Sequence, residues 1–167
     1  AAPSLDLLEE TRLLPVVLPE IARFRGTAQP PTYHPEGDVH VHTRLALAGL
    51  DATLARSLAG PSEGGLHPEL DAEVRIRVLD PERREILAWG VLLHDVGKSD
   101  AFVQVEDRIR FHGHETLGAV QAEALLLRLR RSGRIAAAVG WLVANHMRFS
   151  AFAEMRTATR KRLFREP

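Results

Sequence analysis

Residues 81–98 read Pro-Glu-Arg-Arg-Glu-Ile-Leu-Ala-Trp-Gly-Val-Leu-Leu-His-Asp-Val-Gly-Lys. Pro81 suits the first turn of a helix, where its missing N–H leaves no bond unmade. The helix predicted from that start runs to about His94, and Gly97 reads as its stop signal. His94 shares a helical face with Leu87, Gly90 and Val91. An apolar face turns inward, so this helix aims an imidazole, with Asp95 beside it, toward the interior.

On either side the chain continues to read as helix. Ser4 is the expected N-cap of a helix through Leu14, and Pro15 and Pro19 bracket a connection to a short helix, Glu20 to Arg25. Pro30, Pro31, Pro35 and Gly37 make Gly26 to Gly37 a loop. Asp38 then caps a long helix from Val39 to about Leu58. Ala59 to Leu70, rich in Gly and Pro and holding His67, is expected to be a mobile loop with a solvated His. Phe102 to Phe111 reads as a small hairpin. Two strong helices follow: Thr116 to Arg130, with Leu117, Val120, Ala124 and Leu127 on one face, and Arg134 to His146, with Ile135, Val139, Leu142 and Val143. The last segment, Met155 to Arg165, is basic. With no internal repeat and no domain-scale linker, the expected fold is all-α, a single helical bundle with a hairpin-like arm.

Composition removes several classes of function. The chain has 167 residues, 45% apolar, enough for one compact domain. No apolar run approaches the roughly 20 residues that span a bilayer, and no signal peptide opens the chain, so a cytoplasmic location is expected. Absence of Cys excludes disulfides, a thiolate nucleophile, iron–sulfur clusters and Cys–zinc sites. The 22 basic and 22 acidic side chains cancel, which argues against a general nucleic-acid glue.

Histidine stands out: there are eight. His146 falls four residues after Leu142 and seven after Val139, on the apolar stripe of its helix. His114 precedes Leu117 and Gly118 by three and four. His42 shares a face with Leu45, Ala46 and Gly49. A single inward His is more often a satisfied core residue than a ligand. Four of them without hydrogen-bond partners are costly to bury, and a divalent cation satisfies several ring nitrogens at once.

The series His42, then His94-Asp95 within Leu-Leu-His-Asp-Val-Gly-Lys, resembles the HD superfamily of metal-dependent phosphohydrolases. The resemblance implies that His42, His94 and Asp95 bind a divalent metal, and that His114 and His146 help to hold a second. Tyr-His-Pro-Glu-Gly-Asp-Val-His-Val-His-Thr (33–43), Phe-His-Gly-His-Glu (111–115) and Asn-His-Met-Arg-Phe (145–149) look like the HD region of bacterial tRNA nucleotidyltransferases, the CCA-adding enzymes and related poly(A) polymerases. On that resemblance all of 1–167 is one HD domain, with leading helices in 1–26 and a motif-bearing core in 38–165. Nothing resembles the Gly-Ser motif or paired Asp-x-Asp of the nucleotide-adding head. The Asp that normally closes the family's motif is also missing, since no Asp follows Asp107.

The implied activity is hydrolysis of phosphate esters of nucleotides or RNA 3′ ends, as a 2′,3′-cyclic phosphodiesterase or phosphatase, with one or two ions of Mn, Fe, Co, Ni or Mg. Asp95 would bridge two metals. Lys98 either neutralises phosphate charge or is a solvated Lys after the helix stop. Glu36, Asp38 and Glu115 are acids that could orient water or the ligand rings. The competing readings are a non-catalytic HD module that docks tRNA, through Arg148, Arg156, Arg160, Lys161, Arg162 and Arg165, and a nucleotidase acting on mononucleotides. Phe102, Phe111, Phe149 and Phe152 are assigned mainly to packing, with base stacking as their other use.

Overall fold

The computed structural model describes residues 1–59 and 80–163. The expected loop from Ala59 to Leu70, with His67, lies outside these residues except for Ala59, as do residues 164–167, which include the end of the basic segment.

The described chain is helical, as expected, with one small hairpin. Helix α1 spans Ala2–Glu10. Ser4 is not its cap: the Ser4 amide already bonds to Ala1 O at 3.1 Å, because the helix starts three residues earlier, with Ala1 at the N-cap and Pro3 in its first turn. Nor does α1 reach Leu14. Arg12 takes φ 59°, a left-handed conformation that reverses the chain. Two single-turn helices follow, α2 (Leu14–Val17) and α3 (Pro19–Ala22), each with Pro in its first turn. The connection expected between Pro15 and Pro19 is therefore largely helical, and the helix expected at Glu20 to Arg25 starts and ends earlier.

Helix α4 spans Val39–Ala59, and Asp38 caps it through Oδ1 to the Val41 amide at 2.9 Å. Helix α5 (Pro81–Leu93) begins on Asp80, whose side chain accepts from the Glu82 and Arg83 amides. Gly97 does not stop it through a left-handed turn, since its φ is −73°. Its role is close approach: a Cβ there would lie 2.2 Å from His114 O and 2.8 Å from Gly118 N. Helix α6 (Lys98–Ala101) leads into the predicted hairpin, β1 (Val103–Val105) and β2 (Arg108–Arg110), antiparallel with Gln104 opposite Ile109.

Helix α7 (His114–Arg128) pairs with α8 (Gly133–Ser150), which Ser132 caps. Helix α5 packs on α8, α4 on α5 and α1 on α4, and α9 (Thr157–Leu163) ends the described chain. The core joins Leu5, Ile21 and Phe24 to Leu47, Leu93, Leu125, Leu126, Val139 and Val143. Helix α8 buries Ile135, Val139 and Val143 as expected.

Two helical faces depart from expectation. On α7 the stripe Leu117, Val120, Leu127 faces solvent, Val120 at 67% exposure, whereas His114, Gly118, Ala122, Leu125 and Leu126 are buried. Both faces of this helix are apolar, and the one that wins carries the small residues. Gly118 lets the backbone of Gly97 approach its Cα, with a Cβ there placed only 3.1 Å from Gly97 N. On α4 the buried face is Val39, His40, Thr43, Leu47 and Leu50, and Leu45 is exposed. His42 therefore lies at the edge of the buried face rather than in its middle.

Candidate metal centre

Four helix ends and one loop build the site. His94 and Asp95 leave the end of α5, His114 opens α7, His146 lies in the last turns of α8, and His42 sits in the first turns of α4. The Gly97–Gly118 contact draws the first two groups together.

Each ring is oriented by a bond at Nδ1. His94 bonds to Val91 O at 2.8 Å, His114 to Phe111 O at 2.9 Å and His146 to Val143 O at 2.7 Å. A carbonyl only accepts, so Nδ1 of these three rings carries the hydrogen and, in the neutral ring, Nε2 keeps its lone pair. His42 Nδ1 instead donates to Glu36 Oε1 at 2.6 Å.

All four Nε2 atoms face the Asp95 carboxylate. His94 lies 3.1 Å and His42 3.8 Å from Oδ2, and His114 lies 3.5 Å and His146 3.7 Å from Oδ1. His114 Nε2 and His146 Nε2 are themselves only 3.2 Å apart. Two lone pairs at that distance repel unless a cation or a proton stands between them. Asp95 is 1% exposed, and its Oδ2 makes no well-formed hydrogen bond. Lys98 Nζ is 2.8 Å from that oxygen, but its ammonium is directed to Gln29 Oε1 at 2.6 Å.

Electrostatics follow the geometry. Burial alone would raise Asp95, yet the facing His114 and His94 rings and the charge of Lys98 hold it well below the usual carboxylate range. Burial pushes His42 and His146 down, favouring neutral rings able to ligate. Burial also opposes charge on His94, but its contact with Asp95 outweighs this and raises it. Glu36 is lowered to about 2 by its backbone hydrogen bond and by His34 and His42, so it stays ionised.

The donor set fits a divalent ion. His42, His94 and Asp95 form one group of potential ligands and Asp95, His114 and His146 another, with Asp95 common to both. Nitrogen and carboxylate donors of this kind suit Mn, Fe, Co or Ni, and imidazole anchored through its far nitrogen is the usual form of a ligating His. The group opens into a cleft of about 620 Å³, whose walls include Tyr33, Lys98, Arg110 and Phe111. Asp95 is the only carboxylate among the described residues that line it.

The HD domain family model matches residues 48–165. The chain belongs to the HD domain family. His42 lies just ahead of the HD match, and the other four clustered residues lie within it. Among characterised proteins, this HD domain is similar to the Multifunctional CCA protein of Alkalilimnicola ehrlichii, 38% identical over 77% of the chain and 24% of that protein. It also resembles the A-adding tRNA nucleotidyltransferase of Deinococcus radiodurans, 33% identical over 68% of the chain and 28% of the relative. The Multifunctional CCA protein of Halorhodospira halophila is 32% identical over 96% of the chain and 31% of its own length. The chain thus spans between about a fifth and a third of the length of the relatives it matches. No solved structure matches it.

The structure thus brings together His42, His94, Asp95, His114 and His146. Lys98 is not solvated: it is 6% exposed, and the alternative of a free Lys after the helix is ruled out. Of the three acids, Glu36 holds His42, Glu115 lies 3.4 Å from the His114 Nδ1 that already serves Phe111, and Asp38 caps α4 and binds the Gly26 amide. Sequence reasoning overlooked His34, which shares Glu36 with His42 at 3.0 Å, and Gln29, buried beneath Lys98. The signal for His34 was present in His-Pro-Glu, a His two residues from an acid, within a loop that has no periodicity to interpret. Phe111 joins the cleft wall, edge-to-face with Phe102, while Phe149 packs on Trp141 and Phe152 lies under Arg160.

Proposed function

We propose that this HD domain is a divalent-metal-dependent phosphohydrolase acting on phosphate esters of nucleotides or RNA 3′ ends, as a 2′,3′-cyclic phosphodiesterase or phosphatase. The observation that carries this reading is the convergence of four Nε2 atoms on one buried carboxylate, with each ring's Nδ1 already engaged. His42, His94, Asp95, His114 and His146 would hold one or two ions, with Asp95 common to both. The bound ion would polarise phosphoryl oxygens and acidify water.

The remaining groups position. Glu36 keeps the His42 ring turned so that Nε2 faces Asp95. Lys98 lies 2.8 Å from the Asp95 carboxylate, and its charge adds to the effect of the His114 and His94 rings in keeping that group ionised. In this reading 1–167 is one HD domain, with 38–165 supplying every proposed ligand. RNA ends are favoured as the substrate class by the similarity to the A-adding tRNA nucleotidyltransferase, whose name concerns tRNA. Their nucleotide addition is not carried over to this chain.

The test is hydrolysis of 2′,3′-cyclic AMP and p-nitrophenyl phosphate across Mn, Fe, Co, Ni and Mg, with the His94→Ala/Asp95→Ala double variant alongside. Turnover should appear with at least one metal and vanish in the variant. Turnover that survives the double change would place the chemistry elsewhere. Absent turnover with salt-sensitive tRNA binding would favour the non-catalytic docking module, whose basic side chains Arg156, Lys161 and Arg162 are exposed on or next to α9.

A further inference from the structure

A phosphate ester brings negative charge into the cleft, and a cation has to meet it. Lys98 is the nearest one to the cluster, but its ammonium is already engaged. It is buried, lies 2.8 Å from Asp95 Oδ2, bonds to Gln29 Oε1 at 2.6 Å and sits 5.3 Å from the centre of the Phe111 ring. Turning toward a substrate would strip Asp95 of its neighbouring charge.

Arg110 has the opposite surroundings. It lines the same cleft, is exposed, and has no acid within ion-pair distance among the described residues. Its place is also fixed. Arg110 ends β2 in register with Val103, and the next residue, Phe111, gives its carbonyl to His114 Nδ1 at 2.9 Å. The arm is thereby pinned to the cluster at the base of the Arg110 side chain. A guanidinium offers paired N–H groups matched to two phosphate oxygens, and keeps its charge at all relevant pH.

We propose that Arg110 is the phosphate anchor of this cleft, the residue that makes it select phosphate-bearing nucleotide or RNA ends. The proposal rests on the reading of the cluster as a phosphohydrolase centre and names the group that holds its substrate. Lys98 then serves Asp95, and Arg110 serves the ligand.

Binding tests this without turnover. A fluorescein-labelled oligoribonucleotide ending in a 3′-phosphate and its 3′-hydroxyl twin are titrated with the whole chain in EDTA and read by anisotropy. One charge-assisted pair corresponds to about a tenfold preference for the phosphorylated end. Arg110→Gln should abolish that preference, with an unchanged circular-dichroism melt showing that the exposed substitution leaves the fold intact. Arg108→Gln, on the same strand but outside the cleft lining, should leave the preference in place. No preference in the unaltered protein, or a preference that survives Arg110→Gln, overturns the proposal. So does an equal loss with Arg108→Gln, which would mean diffuse charge on the arm. If the preference behaves as expected but no metal supports hydrolysis, the anchor stands and the hydrolase reading fails. Hydrolysis without the preference gives the reverse.

Discussion

Glu36 shows how much of this centre depends on a residue that touches no proposed metal position. Its Oε1 accepts from His42 Nδ1 at 2.6 Å and from His34 Nδ1 at 3.0 Å, so one ionised oxygen fixes the ring that α4 contributes. His42 needs this more than the other rings do, because it is the only one of the four whose Nδ1 has no backbone carbonyl. Loss of a partner that orients a ligating imidazole costs about 10- to 100-fold in metal affinity. Glu36→Ala should weaken Mn or Co binding by about that factor in calorimetry, with the melting temperature of the metal-free protein little changed. An unaltered affinity would show that the His42 ring is held by packing alone. At this scale the members of the cluster could be named in advance, because three of the rings sit at helix ends whose phase points inward. Glu36 could be suspected but not placed, since a loop between Pro35 and Gly37 has no repeating geometry to read.

Among the elements, α7 teaches the most. Its residues 117, 120, 124 and 127 and its residues 118, 122, 125 and 126 make two apolar stripes, and periodicity alone cannot rank them. Packing ranks them through volume: Gly118 and Ala122 admit α8 and the Gly97 turn at close range, whereas Leu117 and Val120 on that face would hold them apart. This choice is functional, because the same face carries His114 and the same contact brings Asp95 within 3.5 Å of it. Leu125→Ala or Leu126→Ala should therefore cost about 2–5 kcal/mol in urea unfolding. Val120→Lys on the solvent side should stay within about 0.5 kcal/mol. A large loss at Val120 with little at Leu126 would return the helix to the orientation expected from Leu117, Val120, Ala124 and Leu127. The Arg130 turn at φ 61° that ends α7 shows the same limit, since nothing in an Arg announces a left-handed conformation.

For the whole molecule, the cluster is a point where the fold carries an unfavourable arrangement. Five polar groups from four helices are held together, two of them with Nε2 atoms 3.2 Å apart and one a carboxylate at 1% exposure. Helices α5, α7 and α8 pack through the core that surrounds this cluster, so its repulsion acts against the same contacts that close the bundle. A divalent ion would turn that repulsion into attraction, and the unfolded chain has no such assembled site. Binding to the folded state alone stabilises by about 2.7 kcal/mol at a hundredfold excess over Kd. For a chain of this size that corresponds to a rise in Tm of roughly 5–10 °C. Thermal scans with Mn, Fe, Co, Ni and Mg should show this rise for at least one ion, EDTA should reverse it, and the His94→Ala/Asp95→Ala variant should lack it. That variant also relieves the buried charge, so its metal-free Tm need not fall below that of the parent chain. If no ion shifts the parent protein, the convergence of imidazoles on Asp95 is settled by protons rather than metal. The proposed hydrolase would then lose the observation on which it stands.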